Sequence, residues 1–195
     1  MTDDSNMDIE EVPGHPADSK DLYQKIYEEN PWYGDAESGR CPGVRLLPQY
    51  KDWIEGKVID LGCGRGHTVE WLREYGFQAE GIDQIRVHPE MRIGDITQPI
   101  DDIAEFDSAV CIDCIEHLYD PQVEGLFANM KQVKRQAFSI HNGESTGTGQ
   151  ELHVNRRTFD QWRTIIEEHF EIAEEIEVNK RQILYLTTSK TISAD

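Results

Sequence analysis

Apolar positions change their spacing in a regular order along the 195-residue chain. Leu22, Tyr23, Ile26 and Tyr27 recur at helical spacing from Lys20, and Pro31 ends that helix because its ring cannot continue it. Residues 32–50 are turn-rich, with a short helix expected near 46–53. Alternation then begins. Residues 58–61 read as a strand, and Val69, Leu72 and Tyr75 mark a helix that ends at Gly76. Strands are expected at 79–83 and, briefly, at 91–93. Residues 107–112 form a run of small apolar residues, as in a strand covered on both faces.

The next helix is expected to open with Asp120 as its cap and Pro121 at its first position, and it carries a stripe of Val123, Leu126, Phe127, Met130 and Val133. Residues 136–140 give a fifth strand. Thr158 with Gln161 forms a capping box for a helix burying Phe159, Trp162, Ile165, Ile166 and Phe170. Two last strands, 174–178 and 183–188, flank the tight turn Asn179-Lys180-Arg181. Strand–helix alternation predicts an α/β fold, doubly wound and Rossmann-like. Its seven-stranded sheet is mostly parallel and closes in a C-terminal antiparallel hairpin, with ligand at the carboxyl ends of the parallel strands.

Residues 1–18 are acidic, contain Pro13, Gly14 and Pro16, and are expected to be disordered. Residues 19–54 are expected to form a helical cap, and 55–190 the ligand-binding domain. The formal net charge of −19 argues against a broad nucleic-acid-binding face, which needs clustered Lys and Arg. No apolar run is long enough to span a membrane, and the acidic N-terminus is unlike a signal peptide, so a cytoplasmic protein is expected. Cys41, Cys63, Cys111 and Cys114 are too scattered for a disulfide framework. The Cys111-x-x-Cys114 pair has no second pair to complete a zinc site and reads as ordinary buried thiols.

Chemistry concentrates after the first strand. Asp60 precedes Gly62-Cys63-Gly64-Arg65-Gly66, and a helix follows at once. Glycines here allow positive φ and close approach of backbone to a ligand. The dinucleotide pattern G-x-G-x-x-G would need glycine at position 67, where this chain has His67. The segment resembles the S-adenosylmethionine (SAM) loop of class I SAM-dependent methyltransferases, of the small-molecule, type 11 or ubiquinone-pathway-like branch. The C-terminal hairpin is typical of that family.

The resemblance implies an enzyme whose cofactor is SAM. It implies that Asp60, Gly62, Cys63, Gly64 and Gly66 meet the methionine end, whose ammonium and sulfonium suit a carboxylate. Asp83 would accept the ribose hydroxyls. Asp95 would take the adenine amino group and Ile96 would contact the ring, while Asp113 would line the floor beneath the reactive methyl. Asp95 reads equally as a turn residue. The chain lacks the D/N-P-P-Y/F motif of amino-methylating nucleic-acid enzymes and the Pro-Cys of cytosine C5 enzymes.

Some ubiquinone-pathway O-methyltransferases and small-RNA 2′-O-methyltransferases carry E-x-x-E-H after the fourth strand and bind a divalent metal. Here Asp113, Glu116 and His117 stand in that register, a candidate set for Mg²⁺ or Mn²⁺. The plainer reading makes Glu116 and His117 hydrogen-bonded supports of the loop. His117, His141 and His153 are candidates for the base that deprotonates an acceptor, and each is also readable as structural. The Gly/Ser/Thr-rich 142–150 loop reads as a substrate lid. Arg40 or Arg45 is a candidate partner for the SAM carboxylate. The expected reaction is methyl transfer to an oxygen or nitrogen of a small-molecule acceptor. The alternatives are RNA 2′-O-methylation with a metal, and a SAM-binding partner or sensor without turnover. Acceptor and oligomeric state are not legible.

Overall fold

The computed structural model describes residues 20–145, 149 and 151–190. The 1–18 segment and positions 146–148 and 150 of the expected lid lie outside the described residues. Two helices come first, α1 (Lys20–Glu29) and α2 (Pro42–Tyr50). Then follow β1 (Lys57–Leu61), α3 (His67–Glu74), β2 (Gln78–Asp83), β3 (Arg92–Ile93), β4 (Ser108–Ile112), α4 (Asp120–Met130), β5 (Arg135–His141), α5 (Phe159–His169), β6 (Phe170–Asn179) and β7 (Gln182–Ser189). One sheet joins all seven strands in the order β3-β2-β1-β4-β5-β7-β6. The first five run parallel, and β7 lies antiparallel between β5 and β6. The expected fold class and its terminal hairpin are therefore present.

Alternation within the strands sorts side chains onto two faces. Ile59, Cys111, Phe138, Ile140 and Tyr185 pack against α4 and α5, where Leu126, Phe127, Trp162 and Ile166 are buried. Val58, Val110, Ala137, Leu184 and Leu186 point the other way, onto Leu46, Leu47 and Tyr50 of α2 and Val69 and Leu72 of α3. The sheet is thus the middle of three layers, which explains why its central strands read as unbroken apolar runs.

Four local expectations are corrected. The helix placed near 46–53 begins at Pro42, whose fixed φ suits a first turn, and ends at Tyr50. Tyr75 is 53% exposed instead of packing with Leu72, because α3 stops at Glu74. Tyr119, not Asp120, occupies the cap of α4, where its N–H donates to Gln122 Oε1 at 3.0 Å. Asp120 is drawn elsewhere: both its oxygens accept from Arg157 Nη2 at 2.7 Å, and Oδ1 also accepts from Asn155. β6 starts at Phe170, directly after α5, four residues before the expected 174. The Thr158–Gln161 capping box forms as expected, at 2.9 and 3.2 Å.

No helix among the described residues is long and apolar enough to cross a membrane.

Candidate active site

The carboxyl ends of β1, β2, β3 and β4 open onto two adjoining cavities. The first, of about 370 Å³, runs from Asp83 and Gln84 past Gly94, Asp95 and Ile96 to Asp113 and His117. The second, of about 460 Å³, is lined by Asp60, the glycine loop, Thr68, Asp113, His141 and His153. Tyr27, Tyr33, Gly62, Asp113 and His117 line both cavities, so the two meet at the ends of β1 and β4.

The glycine loop is built as its residues demand. Gly62, Gly64 and Gly66 have φ of 80°, 52° and 78°, a region that strains any residue bearing a Cβ. Protein side chains fill the space beside them. A Cβ on Gly62 would stand 2.7 Å from Cys114 Sγ, and one on Gly64 would stand 2.6 Å from the Tyr27 hydroxyl. The Gly64 N–H donates to Asp83 Oδ2 at 2.9 Å, and Ile85 N–H donates to Oδ1 at 3.1 Å. Asp83 therefore ties the loop after β1 to the end of β2.

Two buried acids face this space. Burial raises Asp60 from the ordinary carboxylate range to about 7, with help from the nearby Asp83 charge. Burial likewise raises Asp83, against the lowering effect of its backbone donors. A cationic ligand would relieve both. Asp95 is exposed at the first cavity, and its Oδ1 accepts from Thr97 N–H and hydroxyl at 2.9 and 2.7 Å, so it closes a turn while facing the crevice. Ile96 is buried beside it.

Asp113 is the one non-glycine residue with positive φ among the described residues, at 49°. Its Oδ1 accepts from Ser139 Oγ at 2.5 Å and Gln182 Nε2 at 2.6 Å, and Gln182 Oε1 in turn accepts from Arg45 at 2.8 Å. Arg45 is thus committed to Gln182. Arg40 lies 4.4 Å from the ring centroid of Trp32 at the edge of the second cavity. Gln182 and Ser139 have no mark in the sequence, because an isolated polar residue within or at the start of a strand carries no periodic signal.

The ligand atoms of Glu116, His117 and His153 lie within 4.8 Å of one another. Asp113, which the sequence register grouped with Glu116 and His117, is held apart by Ser139 and Gln182, and His153 takes its place. Glu116 is fully buried: its Oε1 accepts from His141 N–H at 3.1 Å, and its Oε2 has no partner. Burial, then the Asp113 charge, raises Glu116 well above the carboxylate range. His153 Nδ1 donates to Gly143 O at 2.5 Å, which leaves Nε2 as its unprotonated nitrogen. His117 Nδ1 likewise meets Leu152 O at 2.9 Å. His141 has the opposite tautomer, since its Nδ1 accepts from Gly143 N–H at 3.2 Å. Burial lowers His153 below the usual imidazole value, so its ring is neutral near pH 7. Cys111 and Cys114 are free thiols, with Cys111 buried.

The strand order and the glycine loop define a Rossmann-like fold with a crevice at the carboxyl ends of its parallel strands. Residues 39–172 match the family model described as a methyltransferase domain, which is more than half of the chain. The chain belongs to the methyltransferase domain family. A ubiquinone biosynthesis O-methyltransferase of Leptothrix cholodnii is 28% identical over 130 residues, 54% of this chain and 54% of that protein. The chain spans about half the length, or less, of the curated relatives it matches.

A TehB-like SAM-dependent methyltransferase from Corynebacterium glutamicum superposes with a TM-score of 0.65 at 18% identity, covering 87% of this chain and 100% of that one. The 1,6-didemethyltoxoflavin-N1-methyltransferase of Burkholderia thailandensis, solved with its substrate and S-adenosylhomocysteine, gives 0.62 at 16% identity, covering 88% and 86%.

Proposed function

We propose that the protein transfers a methyl group from SAM to an oxygen or nitrogen of a small molecule. The observation that carries this reading is the junction of two cavities at Gly62 and Asp113, the first suited to a nucleoside and the second to the methionine end with the acceptor beside it. On this reading Asp83 would accept the ribose hydroxyls in the first, and Asp95 and Ile96 would meet adenine. In the second, Asp60 and the glycine loop suit the methionine end, with Arg40 near enough to the mouth to meet its carboxylate.

SAM supplies an activated methyl: the S–CH₃ bond breaks with its electrons going to sulfur, and the acceptor's lone pair forms the new bond. The protein's tasks are alignment, exclusion of water and removal of one proton. His153 Nε2 suits that last task, being neutral, buried and on the wall of the acceptor cavity. His141 presents an N–H at its Nε2 and suits orientation of the acceptor. A small acceptor is supported by the names of the relatives and by the charge of −19, which opposes a polyanion. Transfer of labelled methyl from SAM to a panel of hydroxyl- and amino-bearing metabolites tests the reading. Binding of SAM with no transfer to any of them would favour a sensor over an enzyme.

A second reading adds a divalent metal at Glu116, His117 and His153. The unpartnered Glu116 Oε2 and the two imidazoles fixed through Nδ1 fit such an ion, because carbonyl-bound histidines offer Nε2 as ligand. The ion would lower the pKa of an acceptor hydroxyl. Activity unchanged by EDTA, with no rise in thermal stability on adding Mg²⁺ or Mn²⁺, would end this version.

A further inference from the structure

Resting on the SAM reading above, we propose that Arg65 is a positioning residue that holds a roof of tyrosines over the cofactor crevice. Arg65 stands between the second and third glycines of the loop, where its side chain has no part in the expected ligand contacts. It turns away from the strands and reaches the N-terminal helix. Its Nε donates to Tyr33 O at 2.8 Å, and its Nη2 donates to Tyr27 O at 3.2 Å and Asn30 O at 3.3 Å. Three carbonyls from one short stretch of chain thus converge on one guanidinium, which also lies 5.3 Å from the centroid of the Tyr27 ring.

The location of these acceptors explains the strength of the tie. Tyr27 O belongs to the last turn of α1, where carbonyls lack partners within the helix and the dipole is negative. The α1 segment has no basic residue of its own in that turn. A cation supplied by the glycine loop therefore caps a helix that is distant in sequence. Core packing does little of this work, since Ile26 is the one buried residue of α1. The first residue of α3 gives a second link, His67 Nε2 to Asp35 Oδ1 at 3.6 Å.

What the tie positions is the aromatic roof. The Tyr27 and Tyr33 rings meet edge to face at 5.4 Å, and both line the two cavities. The Tyr27 hydroxyl rests against the bare Cα of Gly64. Tyr23 continues the roof and bonds His117 Nδ1 at 2.9 Å. A ligand pressed on the glycine loop is therefore covered by groups whose placement depends on Arg65. Lifting this roof breaks the three carbonyl bonds together.

The test compares wild type with Arg65→Met and Arg65→Lys, using SAM as the probe. Calorimetric titration of SAM should show Kd raised about tenfold or more in Arg65→Met, given charge-assisted bonds to several carbonyls. Arg65→Lys should recover part of that, because an ammonium keeps the charge but cannot reach three carbonyls at once. Amide hydrogen exchange should quicken across residues 20–38 in both variants, with β4 and β5 unchanged.

Wild-type Kd and wild-type exchange at 20–38 in Arg65→Met would overturn the proposal. So would faster exchange spread evenly over the sheet, which would mark Arg65 as a general stabiliser. If Arg65→Met does not fold, Arg65→Gln carries the same comparison. A wild-type protein that fails to bind SAM would overturn the cofactor reading instead, and exchange at 20–38 would still decide whether Arg65 holds the cap.

Discussion

Asp60 and Asp83 end adjacent parallel strands, and the charge on Asp83 adds to burial in lifting the Asp60 carboxyl to about 7. Burial and the neighbouring carboxylate thus favour the protonated form of Asp60 until a cation arrives.

SAM binding should accordingly release a proton. The ligand's ammonium and sulfonium favour ionised Asp60, so below about pH 7 the proton must leave before the pairing forms. Affinity should then fall as pH drops below about 7 and level off above it. Titration in two buffers of different ionisation enthalpy measures the released proton, and Asp60→Asn should abolish both effects. The unliganded protein has the matching stability profile. Its folded state retains a proton that the unfolded chain loses near pH 4, so stability declines as pH rises from about 4 to about 7. Asp60→Asn should flatten that slope in denaturant melts.

Removing the Asp83 side chain should weaken SAM binding by about 1–3 kcal/mol through lost charge-assisted hydrogen bonds. It also frees the Gly64 and Ile85 N–H groups that Asp83 accepts, so thermal stability should fall with it. Calorimetry and a thermal melt on Asp83→Ala give the two numbers. Unchanged SAM affinity would remove Asp83 from the ribose role.

Gly64→Ala should cost about 1–2 kcal/mol of stability from backbone strain alone, since its φ is 52°. The added methyl also meets the Tyr27 hydroxyl at 2.6 Å. Chemical denaturation of Gly64→Ala, Tyr27→Phe and the double variant separates the two sources. The double variant should regain the contact part of the loss and keep the strain part.

Asn129 anchors the loop of residues 96–100 from beneath. Its Nδ2 donates to Ile96 O at 2.9 Å and Gln98 O at 2.8 Å, and its Oδ1 accepts from Ile100 N–H at 3.2 Å. Asn129→Ala leaves these backbone groups without their partner and should cost about 1–3 kcal/mol. Equilibrium unfolding checks that figure, and SAM titration should show weaker binding as Ile96 loses its support.

Sheet and helices were legible because their signals are periodic. Val58, Val110 and Phe138 announce strands, and Thr158 with Gln161 announces a helix start. The glycine loop and Asp83 were legible because φ requirements and strand-end acids leave marks at fixed spacing. What escaped depends on residues far apart in the chain. Asp120 was read as a cap because Arg157 cannot be paired with it from sequence. Asp113 was grouped with Glu116 and His117 by register, yet Ser139 and Gln182 hold its carboxylate and His153 stands in the cluster. Arg65 carries no role that sequence can report, since its partners are backbone carbonyls, which no side-chain pattern reveals.

The position of β7 between β5 and β6 has a consequence for the newborn chain. β6 is synthesised first but has no neighbour of its own until residues 182–189 emerge from the ribosome. For that interval β5 presents an open row of amides and carbonyls, the kind of edge that invites another molecule's strand. Completion of the sheet therefore waits for residues 182–189, and a stall before Gln182 leaves a sticky intermediate.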